Sequence, residues 1–146
     1  MPSIELRMPL EEPNMDIKGV IAMVTIACSP KFKKTTSYLE KIKEVFKSGL
    51  LDKYGRMGVE ALAEATPKDT GKTASSWYYT IDRNKDVISI TWSNSNFNDG
   101  VPIAVVLQYG HATRNGGFVK GIDYINPAMK PVFEEIANEA WKEVNK

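Results

Sequence analysis

Three short stretches carry residue types that could do chemistry. Asp69-Thr70-Gly71 spells the catalytic tripeptide of aspartic proteases, a chemistry that needs two carboxylates sharing a proton in a water-filled cleft. Here Pro67-Lys68 leads in and Lys72 follows. The reading is therefore a cap: Asp69 precedes a short helical turn beginning at Thr70 and takes an orphan backbone N–H. Gly71-Lys72-Thr73 matches the end of a phosphate-binding loop, whose full pattern needs a glycine where this chain has Thr66. With Pro67 next and a helix leading in, the backbone cradle for phosphate is missing. His111 is the single histidine, and no Gly-x-Ser-x-Gly elbow accompanies it to build a relay with Asp123 and Ser95.

Arg114 and Lys120 beside Phe118 and Tyr124 have the ingredients of a base-stacking platform. Two cations are too few, and the preferred reading is a glycine-rich loop that Phe118 and Tyr124 anchor to the sheet or to a neighbouring subunit. Cys28 is the one cysteine, so neither an intrachain disulfide nor a zinc site with one histidine can form. No catalytic, cofactor-binding or metal-ligating residue is assigned.

The 146 residues suit one domain, with residues 1–22 as an N-terminal arm and 23–146 as the folded unit. Nineteen Lys and Arg balance eighteen Asp and Glu, a net charge of +1 that creates no field for a nucleic-acid or membrane partner. The longest apolar run, 20–28, is about half the ~20 residues a membrane helix needs, and the acidic residues before it do not make a secretory signal. An intracellular protein in a reducing compartment is expected.

The elements that must position these residues follow from periodicity. Pro2, Pro9 and Pro13 support neither a helix nor a central strand in the arm. Residues 22–28 suit a short buried strand, and 31–48 repeats Leu39, Ile42, Val45 and Phe46 at helical spacing up to Gly49, a C-cap. A second helix runs over Leu51–Ala65, and its Gly55 and Gly58 imply close approach of another backbone. Pro67 ends it. Trp77–Arg83 and 87–93 read as a strand pair with Ile88, Ile90 and Trp92 on one apolar side. Residues 94–100 read as a polar loop, Ile103–Tyr109 as a strand or a short helix, and 110–121 as a loop with four glycines. The last segment is an amphipathic helix with Asn126 as N-cap and Pro127 in its first turn. Its stripe is Val132, Ile136, Ala140 and Val144, widened by Met129, Phe133, Ala137 and Trp141. The expected class is α+β: a short strand, two helices, a small antiparallel sheet of two to three further strands and a closing helix.

Four stretches stand in order: 65–72 (Ala-Thr-Pro-Lys-Asp-Thr-Gly-Lys), Ser75-Ser76-Trp77, 107–113 (Leu-Gln-Tyr-Gly-His-Ala-Thr) and 125–128 (Ile-Asn-Pro-Ala). Together they resemble the landmarks of phage minor tail and head-tail joining proteins, the tail-completion proteins. That pattern is Thr-Pro-x-Asp-Thr-Gly with a basic residue and a serine, a strand pair, an aromatic-Gly-x-x-Thr stretch and a Pro-Ala opening the last helix. The likeness runs from about Met23 to the C-terminus. Gln108 replaces an acidic residue common in the family, and Arg114-Asn115-Gly116-Gly117 is a long insertion.

The resemblance implies a non-enzymatic structural subunit of a phage or phage-like particle, without cofactor. It would form a ring, commonly sixfold, at the head-tail junction or tail end, and lie in the virion after assembly in the host cytoplasm. Its partners would be itself, neighbouring neck, connector or tail-tube proteins, and DNA passing without sequence-specific binding. Pro67, Asp69, Thr70, Gly71, Tyr109, Gly110, Asn126 and Pro127 would be structural. His111, Arg114, Asn115, Gly116, Gly117 and Phe118 would meet a neighbour. The alternatives are a host adaptor or binding domain and, less favoured, a dimeric aspartic-type protease.

Overall fold

The computed structural model describes residues 4–7, 20–27, 44, 49–83 and 87–145. The class is α+β. Ile4–Arg7 (β1), Val20–Ala27 (β2), Trp77–Arg83 (β3) and Val87–Asn94 (β4) form an antiparallel sheet in the order β1-β2-β4-β3. Four residues of the segment read as an arm are thus the sheet's outer strand, and β2 starts at Val20 rather than at 22. Pro2 and Pro9 flank Ile4–Arg7 without interrupting it, and an edge position tolerates nearby prolines. Of the helix expected over 31–48, Glu44 is helical and the rest lies outside the described residues, as does the 84–86 link of the β3–β4 hairpin.

Helix α1 spans Leu51–Ala65, as the periodicity predicts. Gly49 before it has φ +79°, the left-handed conformation expected of a C-cap glycine. The helix ends because Thr66 turns to extended backbone (ψ 125°) before Pro67. Its glycines meet side chains, not a backbone. A Cβ on Gly55 would stand 2.3 Å from the Tyr79 ring, and one on Gly58 2.2 Å from Trp92 Nε1. The Trp92 ring is notched into the helix, its Nε1 donating to Gly55 O at 2.9 Å. An indole needs both space and an acceptor when buried, and the glycines supply the space.

Two further helices close the core. Ile103–Tyr109 is α2, resolving the strand-or-helix ambiguity, and Ile125–Val144 is α3. Leu51, Tyr54 and Leu62 of α1, Ile88, Ile90 and Trp92 of β4, and Met129, Val132, Phe133, Ile136 and Ala140 of α3 form one buried cluster. Trp92 meets Phe133 with centroids 6.0 Å apart. Trp141 does not widen the buried stripe: it is 58% exposed.

Both segments read as loops contain strands. Phe97–Asn98 (β5) pairs with Val101–Pro102 (β6), and Gly110–Ala112 (β7) pairs with Phe118–Lys120 (β8). Asp99 (φ 49°) and Gly100 (φ 78°) make the first turn, with both central residues left-handed as a two-residue hairpin requires.

Candidate functional site

The four landmark stretches are linked by a run of largely buried polar contacts. At the first, Thr66 Oγ1 donates to Leu62 O and accepts from Trp77 Nε1 at 2.8 Å, which ties the end of α1 to the start of β3. Gly71 has φ +78°, and its carbonyl accepts from Ser75 N at 3.0 Å. This turn needs a glycine. Thr70 Oγ1 accepts from Lys72 N at 3.3 Å. Asp69 is exposed and caps nothing among the described residues, and the short helical turn at Ala74–Ser76 has no side-chain cap, so the capping role expected of Asp69 is not filled there.

From that turn the chain of contacts reaches α2. Asn94 Nδ2 donates to Thr73 O at 2.8 Å and Asn96 Nδ2 to Thr73 Oγ1 at 2.9 Å, while Asn96 O receives Ile103 N at 3.1 Å. Asn94 and Asn96 belong to the segment whose composition reads as a polar loop. Their burial is the part that sequence cannot show.

The third and fourth landmarks meet directly at Gln108. Its Oε1 accepts from both Tyr124 N and Ile125 N at 3.1 Å, and its Nε2 donates to Asp123 Oδ1 at 2.7 Å. Gln108 therefore caps α3 from another element, satisfying donors that a helix leaves orphaned in its first turn. Asn126 is not the N-cap. It lies inside α3 and donates to Asp123 Oδ1 at 2.9 Å. Pro127 sits in the first turn, where a missing N–H costs nothing. The buried Tyr124 donates its hydroxyl to Ala104 O at 2.8 Å, and burial pushes its phenol upward.

The ribbon of β7 and β8 grows from this junction. Gly110 and Gly121 face each other so closely that a Cβ on Gly110 would lie 2.2 Å from Val119 O and one on Gly121 2.3 Å from Gln108 O. Ile122 N donates to Leu107 O at 2.9 Å below them. At the tip, Thr113 O accepts from Gly116 N at 3.1 Å, and Gly117 O from Thr113 N at 2.8 Å. Every residue of β8 is exposed, including Phe118 at 68% and Val119 at 47%, with Ile122 at 59% just beyond. Tyr109 at the root is 40% exposed, and burial, then the Asp123 charge, raises its phenol above the ordinary value.

His111, Arg114, Asn115, Gly116, Gly117 and Phe118 all lie on this ribbon. Phe118 does not anchor it to the sheet, because the ring points to solvent. Tyr124 is buried under α2 and so cannot join Phe118, Arg114 and Lys120 in a stacking platform. His111 is exposed, while Asp123 is held by Gln108 and Asn126. Open depressions lie beside Trp141 and along α1 at Met57, and neither is lined by Asp69 or His111. Among the described residues no three His, Cys, Asp or Glu side chains converge on a metal site, and no helix is long and apolar enough to cross a membrane. No protein-family model, curated protein or solved structure matches the chain.

Proposed function

We propose that the chain is a structural subunit of a tailed phage or phage-like particle, closing into a ring at the head-tail junction or tail end. The observation that carries this reading is the ribbon. A two-stranded ribbon is marginally stable alone in water, and this one is held at its root by glycine contacts and by Gln108 while its strands expose Phe118 and Val119. Such a surface is suited to burial against a partner. The ordered landmarks support the same reading, since two of them build the ribbon's root. Side-to-side contacts of one kind, repeated by rotation, close into a ring when the rotation closes. Six copies, with neighbouring neck, connector or tube proteins above and below, are the proposed arrangement, and DNA would pass through it without sequence-specific contacts.

Deleting residues 115–117 tests the proposal. The variant should fold with unchanged circular dichroism and fail to join heads to tails in particles imaged by electron microscopy. Normal particles from that deletion would sink the ribbon's role, and a chain absent from every purified particle would sink the whole reading.

A further inference from the structure

The sheet carries a second unpartnered feature, distinct from the ribbon. Strand β3 is its outer strand on one side, and among the described residues nothing pairs with its far edge. Seven residues long, it contains no proline or lysine, the usual guards against edge pairing. Tyr78, Thr80 and Asp82 point outward and are exposed, while Tyr79 and Ile81 are half-buried on the side facing α1.

We propose that β3 pairs antiparallel with β3 of a second copy, about a two-fold axis through Thr80. Among the antiparallel registers this alone pairs all seven residues, and its pairs suit one another. Tyr79 meets Ile81 of the second copy, an aromatic with a β-branched side chain on the apolar side. Tyr78 meets Asp82, a phenol donor with a carboxylate acceptor. No like charges face each other, whereas a slip placing Asp82 opposite Asp82 or Arg83 opposite Arg83 would oppose them. Arg83 comes level with Trp77 and diagonal to the second copy's Tyr79. That tyrosine's hydroxyl donates to Asp52 at 2.9 Å, so the guanidinium arrives on the side that holds a carboxylate. Complementary charge of this kind fixes register, and a self-complementary patch is what a two-fold contact demands. The contact uses no ribbon residue, so it stands or falls separately from the ring.

Sedimentation velocity of the full chain tests it. The wild type should be a dimer at high concentration that dissociates on dilution. Thr80→Lys, an exposed outward position, brings two ammonium groups together at the axis and should weaken the dimer about tenfold or more with unchanged circular dichroism. A wild type that stays monomeric, or a dimer that survives Thr80→Lys, overturns the pairing. In a Cys28→Ser background, Thr80→Cys places Cα atoms about 4.5 to 5.5 Å apart across the axis, within disulfide reach. It should cross-link on mild oxidation, and cross-linking no faster than at the exposed control Ser75→Cys overturns the proposal.

Discussion

The seam between α1 and the sheet and the ribbon at 110–120 both depend on glycine, for opposite physical reasons. At the seam, Gly55 and Gly58 make room for the Tyr79 and Trp92 rings, and the gain is apolar burial. At the ribbon root, Gly110 and Gly121 let two backbones touch, Gly110 at φ +81°, and what is gained is direction. The strands leave the body at a set angle with their side chains in water. A small side chain can therefore serve stability in one place and presentation in another, and substitutions should separate the two.

Gly58→Leu has the largest expected effect. A branched side chain cannot coexist with Trp92 Nε1 2.2 Å from its Cβ, and overpacking of that severity costs about 3 kcal/mol or more. Chemical denaturation measures it, and near-wild-type stability would show that the seam yields more than its geometry allows. Gln108→Ala comes next. It orphans the Tyr124 and Ile125 amides and removes a donor from Asp123, for about 1 to 3 kcal/mol. Because Gln108 sits at the ribbon's root, amide exchange over 110–122 should also rise. Destabilisation with that exchange unchanged would place Gln108 with the core alone.

Tyr54→Phe should be close to neutral at pH 7. The Tyr54 hydroxyl is buried with no hydrogen-bond partner among the described residues, so its removal leaves none of them unsatisfied. Burial, then Glu139 and Glu135, push this phenol up to about 12 from 10.0. The folded state thus holds the proton more tightly than the unfolded state. The associated stability is complete below about pH 10 and is lost as pH rises toward 12. Tyr54→Phe should therefore unfold at higher pH than the wild type, and identical alkaline midpoints would count against the shift. Phe118→Ser should be the mildest in the isolated chain, within about 0.5 kcal/mol, since the ring is 68% exposed. Its effect belongs to assembly, where it should reduce joining, and a large thermal destabilisation of the purified protein would show the ring packs on its own chain.

The residues differ in how openly they declare their structure. Leu51–Ala65 is bounded by Gly49 and Pro67 and has an uninterrupted apolar period, so its limits follow from local rules. Trp77–Arg83 and the alternation through Ile88, Ile90 and Trp92 are equally local. The polar segment at 94–100 hid a hairpin because its composition outweighed Asp99-Gly100, the dipeptide that suits a two-residue turn. The ribbon also carries such a dipeptide, Asn115-Gly116, but it lies inside the longer loop 113–117, so it does not by itself fix which residues pair. Its pairing of Gly110 with Lys120 depends on closure ten residues apart.

Amino-acid order alone sufficed for the α+β class, the α1 boundaries, the β3–β4 pair and the apolar stripe of α3, because each is set by neighbours within a few residues. It misassigned the caps. Asp69 and Asn126 have capping chemistry at the right spacing, yet Asp69 caps nothing among the described residues and the first amides of α3 go to Gln108, since a cap is filled by whichever polar atom the fold carries to the helix end. The same holds for Phe118 and Trp141. Their apolar character is plain in the chain, but which aromatic rings are enclosed and which are left facing solvent is settled when α1, α3 and the sheet converge on Trp92 and the ribbon is left outside.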